Sequence, residues 1–430
     1  RWRMQAPGRL ALALRPYNPE GIQFIESITP LPGERGLRIN AEGEIHWDRN
    51  AETVVFSNYA DGDVIHRLDG ETTAEGIKCP VGMATAAAMF RQSEDRNERL
   101  EVQIPLGPDL RRQKVRLSGE SANWDGLLAD AARLRIPDVR MQFLYEAALR
   151  TLVLLSADEA VPGPYTYRRF WFRDACFMVH AMLSAGLIER CRRILAGFFQ
   201  HQERSGYFRS QEGEWDSNGQ VLWILDRFQQ ATGADFENAW MQGVQKGAEW
   251  ICRKRRSNDR SGPYAGLFPA GFSAEHFGPN DYYYWDDFWG AAGLQSASRL
   301  CGRFLSEEIR RKFAQEAEDF EATIAATIEA IPDHRSRGGI PAAPLRRMDS
   351  GAVGSLVADY PLQITGPGDR RILNTVAFLM QHCFHGGGFF QDMIHSGINA
   401  YLTLAVAQTL LRAGDDRYRE LIESVARLAS

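Results

Sequence analysis

Long apolar runs are missing from this chain: no stretch approaches the roughly 18 residues that a membrane-crossing helix needs. Positive charge is also in short supply. Lys and Arg number 50 against 55 Asp and Glu, for a net charge of -5 and a pI near 6.1. Such a balance offers no general attraction to phosphate backbones or anionic lipid. The longest basic block, Arg253-Lys254-Arg255-Arg256, reads as a solvated helix end. Neither nucleic acid nor membrane is therefore expected as a partner. Cysteine is sparse too: Cys79, Cys176, Cys191, Cys252, Cys301 and Cys383 are scattered without a CxxC pair, which argues against a disulfide framework or a zinc site. The three glycines Gly386–Gly388 lack the Lys and Ser/Thr of a phosphate-binding loop and read as a flexible rim loop. His382, His385 and His395 lack the HExxH register and are expected to hydrogen-bond locally. No metal and no cofactor are expected. The opening Arg1-Trp2-Arg3-Met4 is neither an initiator Met nor a signal peptide, so the chain reads as a fragment or a trimmed sequence, with a cytoplasmic location as the expectation.

What is present is a sizeable core in two styles. Hydrophobic residues make up 44% of the 430 and charged residues 24%, ordinary values for a globular chain. From residue 9 to about 106 the pattern is strand-like. Leu10, Leu12 and Leu14 alternate with small residues, Leu37 and Ile39 lead through Asn40-Ala41-Glu42-Gly43 to Ile45 and Trp47, and Val54-Val55-Phe56, Val64-Ile65 and Leu100-Val102-Ile104 continue the theme. Short strands with frequent turns predict an antiparallel β-sandwich over 1–118. Over 119–430 the period becomes helical. Pro137-Asp138 opens a helix with a stripe of Met141, Leu144, Ala147, Ala148 and Leu152, and further helices are predicted near 173–186, 188–203, 217–232, 236–255, 284–302, 306–330, 370–383, 396–413 and 416–429, with no convincing strand between them. So many helices, joined by alternately short and long connections, predict a closed double ring: an (α/α)6 toroid of a mainly α protein.

Five long connections, 161–174, 205–219, 261–289, 335–352 and 384–397, are rich in Gly, aromatic and acidic residues. In a ring of helical hairpins they fall on one rim around one mouth, and loops of such length usually carry function. In the first, Arg173-Asp174 sits behind Phe170-Trp171-Phe172. Aromatic faces pack on the C–H face of a sugar ring while guanidinium and carboxylate bind its hydroxyls; an internal ion pair at a helix start is the structural alternative. In the second, Trp215 is hard to explain as core, and Asp216 could simply cap the helix that continues Val221-Leu222-Trp223. In the third, Asp286 and Asp287 lie among Tyr282, Tyr283, Tyr284, Trp285, Phe288 and Trp289. An apolar setting raises a carboxyl pKa and suits a general acid, and neighbouring helical positions diverge, so at most one of the pair should face the pocket. The fourth carries Arg346-Arg347-Met348-Asp349-Ser350, and the fifth leads to Asp392.

These motifs in this order resemble the catalytic domain of glucoamylase-type, six-hairpin glycosidases. Trp171-Phe172-Arg173-Asp174-Ala175 resembles the family's W-P-R-D-A segment, Trp285-Asp286-Asp287 stands where the family has Trp-Glu-Glu, and Asp349-Ser350, Pro361-Leu362 and Thr375-Val376 are similar to its D-A-S stretch and later T-V helix. A sandwich ahead of the barrel is common in bacterial members. The resemblance implies a glycosidase acting on α-linked gluco-oligosaccharides by inversion. It implies that Arg173 and Asp174 bind sugar hydroxyls and that Asp286 is the general acid, with Asp287 its nearest rival. Asp is one methylene shorter than the family's Glu. Trp171, Trp215, Asp216, Trp285 and Asp349 complete the expected sugar-binding set, with an oligosaccharide as partner; nothing sets an oligomeric state. Inversion also needs a base about 6.5–9.5 Å from the acid. The family's base lies near or beyond Ser430, which leaves three readings open: a truncated chain, Asp392 or another rim carboxylate in that role, or lost hydrolysis. A phosphorylase or transferase, with Arg346, Arg347 and Gly386–Gly388 holding phosphate, and an inactive sugar-binding protein are the competing functions.

Overall fold

The computed structural model describes residues 8–18, 21–22, 24–33, 35–41, 43–70, 75–92, 100–104, 124–164, 167–257, 262, 264–273, 280–391 and 397–429. The chain divides into two compact units, Arg1–Ser121 and Ala122–Ser430.

The first unit is an antiparallel sandwich. One sheet places strand Thr85–Gln92 between Gly8–Leu14 and Thr53–Ser57; the other runs in the order Val102–Gln103, Gly43–Trp47, Gly36–Ile39, Ser27–Pro30, Ile77–Lys78. Alternation turns Ile28, Leu37, Ile45 and Trp47 of one sheet towards Val54, Phe56, Ala86, Ala88 and Phe90 of the other. The Trp47 and Phe90 rings meet edge to face at 5.6 Å. Two expectations need correction. Val64-Ile65 belongs to a 3-10 turn, Val64–Arg67, because Asp63 caps it by accepting the Ile65 N–H at 2.9 Å. The central strand Thr85–Gln92 was missed because its Ala86-Ala87-Ala88 run has low strand propensity. Those alanines are fully buried in a sheet centre that leaves room for little more.

The second unit is an (α/α) toroid of two helical layers. Its helices are α1 (Val139–Leu154), α2 (Phe172–Ser184), α3 (Ile188–Phe198), α4 (Ser217–Thr232), α5 (Asn238–Arg256), α6 (Tyr284–Phe304), α7 (Glu307–Glu329), α8 (Arg370–His382), α9 (Ala400–Arg412) and α10 (Arg417–Leu428). Inside, α2 packs on α4, α4 on α6, α6 on the 3-10 segment Ser350–Ala358, and that segment on α9. Outer helices show one apolar stripe: α3 buries Cys191, Ile194, Leu195 and Phe198, and α7 buries Phe313, Ala317, Phe320, Ile324 and Ile328. The inner α4 and α6 are buried on almost every side. On α1 the buried residues are Leu149 and Val153, while Ala148 of the expected stripe is exposed. Strands do occur here: Phe384–His385, Gly388–Gln391 and Gly397–Ile398 form a small antiparallel sheet. Its first turn is Gly386-Gly387, both at positive φ (57° and 85°), the backbone of a tight two-residue hairpin. This ordered turn replaces the expected flexible loop. All six cysteines are free and buried. Among the described residues no helix is long and apolar enough to cross a membrane, and no cluster of three or more His, Cys, Asp or Glu could hold a metal ion.

Candidate active site

The N-terminal ends of α2, α4 and α6 converge on one rim of the ring. Backbone contact between α4 and α6 sets their spacing: a Cβ on Gly219 would collide with the Trp289 carbonyl, and one on Gly293 would meet Gly219 Cα. Only glycine permits helices this close. That approach brings Asp216, just ahead of α4, against the first turn of α6. Asn218 ties the preceding loop down by accepting the Phe208 N–H at 2.9 Å and donating to the Gly206 and Gly247 carbonyls, both at 3.0 Å.

Asp216 makes no capping bond with its side chain. Its Oδ2 instead accepts three donors: Arg173 Nε at 2.8 Å, Trp285 Nε1 at 2.8 Å and Gln220 Nε2 at 2.9 Å. Arg173 also pairs with Glu214 at 3.4 Å, and Glu214 accepts from Trp171 Nε1 at 3.3 Å. Glu214 belongs to this cluster, and sequence reasoning passed it over. The available signal was the alternation Glu214-Trp215-Asp216, since in an extended segment residues two apart share a side.

Asp286 and Asp287 diverge. Asp287 is fully buried and accepts the Phe268 N–H at 2.8 Å, anchoring the loop that precedes α6. Asp286, 1% exposed, lies on the side of Asp216, Glu214 and Arg173. Its Oδ1 has no hydrogen-bond partner among the described residues. Burial first, then the negative charges of Asp216 and Asp287, push its carboxyl well above the usual range, against the pull of Arg173. Burial pushes Asp287 up to about 8, with the Phe268 N–H and Arg255 opposing it. Burial also raises Glu214 and Asp174, in each case against the pull of Arg173. Burial beside one guanidinium thus raises the Asp174, Glu214 and Asp286 carboxyls above their ordinary range.

Other expected residues are placed less centrally. Half-buried Trp171 has Arg169 stacked 3.7 Å from its ring centre. Asp174 is half-buried next to Arg173. Trp215 is core after all: it is 5% exposed, donates to the Pro269 carbonyl at 3.0 Å and is covered by Lys254 Nζ at 3.6 Å. Asp349 caps the 3-10 segment through the Gly351 N–H at 2.9 Å and receives Arg346 at 2.5 Å; Arg346 is also hydrogen-bonded to the Tyr283 hydroxyl at the start of α6. His382 lies 3.4 Å from Arg337 Nη1, and His385 is exposed. Asp392 and His395 lie outside the described residues.

No protein-family model matches the sequence, and no curated protein matches it. Solved structures do share the fold. A bacterial glucoamylase complexed with acarbose superposes with a TM-score of 0.60 at 12% identity, over 97% of this chain and 71% of that one. A wild-type glycosidase gives 0.53 at 15% identity, over 67% of this chain and 84% of that one. A GH78 family rhamnosidase of Bacillus sp. GL1 gives 0.52 at 12% identity, over 93% of this chain and 42% of that one. The chain thus has the fold of six-hairpin glycosidases.

Proposed function

We propose that this chain is a glycoside hydrolase acting on α-linked gluco-oligosaccharides by inversion, with Asp286 as general acid. The observation that carries the reading is the Asp286 carboxyl: buried, pushed well above the usual carboxylate range, with one oxygen unengaged, at the rim where Arg173 and Asp216 are locked together. A carboxyl kept protonated near neutral pH can deliver its proton to a leaving glycosidic oxygen. Arg173 orients Asp216 and Glu214, and Trp171 and Asp174 offer a face and a hydrogen-bond acceptor to a sugar ring. The likeness to the acarbose-bound glucoamylase supports an α-linked substrate. Asp392 is the base candidate for activating water. Asp287, committed to the Phe268 N–H, is a positioning residue.

The test is sugar release from a panel of α- and β-linked oligosaccharides, with and without phosphate, followed by the anomer formed. Release of the inverted anomer from α-linked glucans without phosphate, blocked by acarbose, is the expected result. Release that requires phosphate would replace hydrolysis by phosphorolysis, and binding without release would make the chain a sugar-binding protein.

A further inference from the structure

A cavity of about 620 Å³ opens beside the 3-10 segment, and its walls are strongly basic: His334, Arg335, Arg337, Arg347 and His382 surround the single acid Asp349. Asp349 is already matched by Arg346. Arg335, Arg337 and Arg347 form no ion pair with a carboxylate among the described residues. Arg335 donates to the Leu345 carbonyl at 3.1 Å, and Arg337 leans on the Phe378 ring, 5.2 Å from its centre, with His382 at 3.4 Å. Three guanidinium groups with no carboxylate partner thus line one cavity, an arrangement that an oxyanion matches through paired N–H donors. The walls are braced: the Met348 N–H donates to the Arg335 carbonyl at 3.0 Å, Asn374 Nδ2 to the Gly338 carbonyl at 2.9 Å, and the Ile340 N–H to Thr375 Oγ1 at 2.9 Å.

Size decides what the oxyanion is attached to. Sites for small organic ligands run from about 300 to 1,000 Å³, and this cavity falls in that range, well beyond one phosphate or carboxylate. Phe378 and Met348 supply apolar wall for the C–H face of a ring. Arg346 links the cavity wall to the rim by hydrogen bonds, to Asp349 on one side and to Tyr283 at the start of α6 on the other, one turn from Asp286. We propose that this cavity is a subsite for a sugar unit that carries an anionic group, phosphate or carboxylate, with Arg337 and Arg347 as its principal anion contacts. The proposal rests on the saccharide reading above for the neutral part of the ligand and gives that substrate a charge.

Binding, not turnover, is the readout, so that failure of the hydrolase reading stays separate. Titration calorimetry on the full chain compares glucose 6-phosphate, glucuronate, glucose and inorganic phosphate. At least one charged sugar is expected to bind about tenfold or more tightly than both glucose and phosphate, and the tighter of the two identifies the substituent. Arg337→Gln and Arg347→Gln should each weaken that binding about tenfold with an unchanged thermal midpoint, and raised salt should weaken it further. Asp286→Asn should retain it. Equal binding of glucose, no binding of either charged sugar, or Gln variants that bind like the parent would overturn the proposal; phosphate binding as tightly as glucose 6-phosphate would overturn its sugar part.

Discussion

The two ends of the inner helical layer treat buried carboxylates in opposite ways. Towards the C-terminal ends each has its own arginine: Asp226 of α4 pairs with Arg299 of α6 at 2.6 Å, and Asp359 pairs with Arg412 of α9 at 2.8 Å. At the N-terminal rim, Asp174, Glu214, Asp216 and Asp286 gather around Arg173. Balanced pairs hold neighbouring segments in register and leave little chemistry to do. At the unbalanced rim, the cost of burial raises the Asp174, Glu214 and Asp286 carboxyls above their ordinary range. Positive helix N-termini offset part of that cost. The difference separates charges that join the ring from charges available for proton transfer.

That contrast can be broken by substitution. Asp286→Asn removes the proposed proton donor while keeping the shape, and should lower turnover about 10²–10⁴-fold with little change in substrate binding; unchanged turnover in steady-state kinetics would remove Asp286 from the mechanism. Arg173→Ala removes the cation paired with Asp216 and Glu214 and should cost about 3–5 kcal/mol of stability, as removal of one partner from a buried ion pair does, measured by urea unfolding. The matching change at the other end, Arg299→Ala, should cost only about 1–2 kcal/mol, because Arg299 is half-exposed and water can replace it, and should leave turnover unaltered. A pH dependence follows from Asp287. Asp287 holds its proton up to about 8 in the folded chain but releases it near about 3.9 when unfolded. The folded state therefore binds the extra proton between those values, and stability falls as pH rises through them, by at most about 1.4 kcal/mol per pH unit for this group. Asp287→Asn keeps an acceptor for the Phe268 N–H and should flatten that slope, raising the melting temperature at pH 8 relative to pH 5.

Much of this arrangement is legible in the sequence, and the gaps have physical causes. The outer helices announce themselves because one face is dry and the other wet, as in α3 and α7. The helix starts at Trp171, Asp216 and Trp285 are marked by aromatic-acidic clusters, and the structure brings Arg173, Asp216, Trp285 and Asp286 together. Hidden from sequence were segments with no usable period. Ser350–Ala358 is small and apolar throughout and entirely buried, and Thr85–Gln92 is strand by its neighbours' pairing more than by its own alanines. Sequence spacing says that Asp286 and Asp287 must diverge but not which turns inward, since that depends on the rotation of α6 about its axis. Trp215 misled because an indole in a polar loop can be capped by a lysine and a carbonyl as readily as by a sugar.

The glycine contact between α4 and α6 has a consequence for how this site can change. Because Gly219 and Gly293 set the separation of the two helices by main-chain contact, the distance between Asp216 and Asp286 is insulated from side-chain replacement in the surrounding loops. Rim residues outside the Arg173–Asp216–Trp285 cluster can change without moving the two helices apart. Adaptability at the mouth and constancy at its centre thus depend on two missing methyl groups.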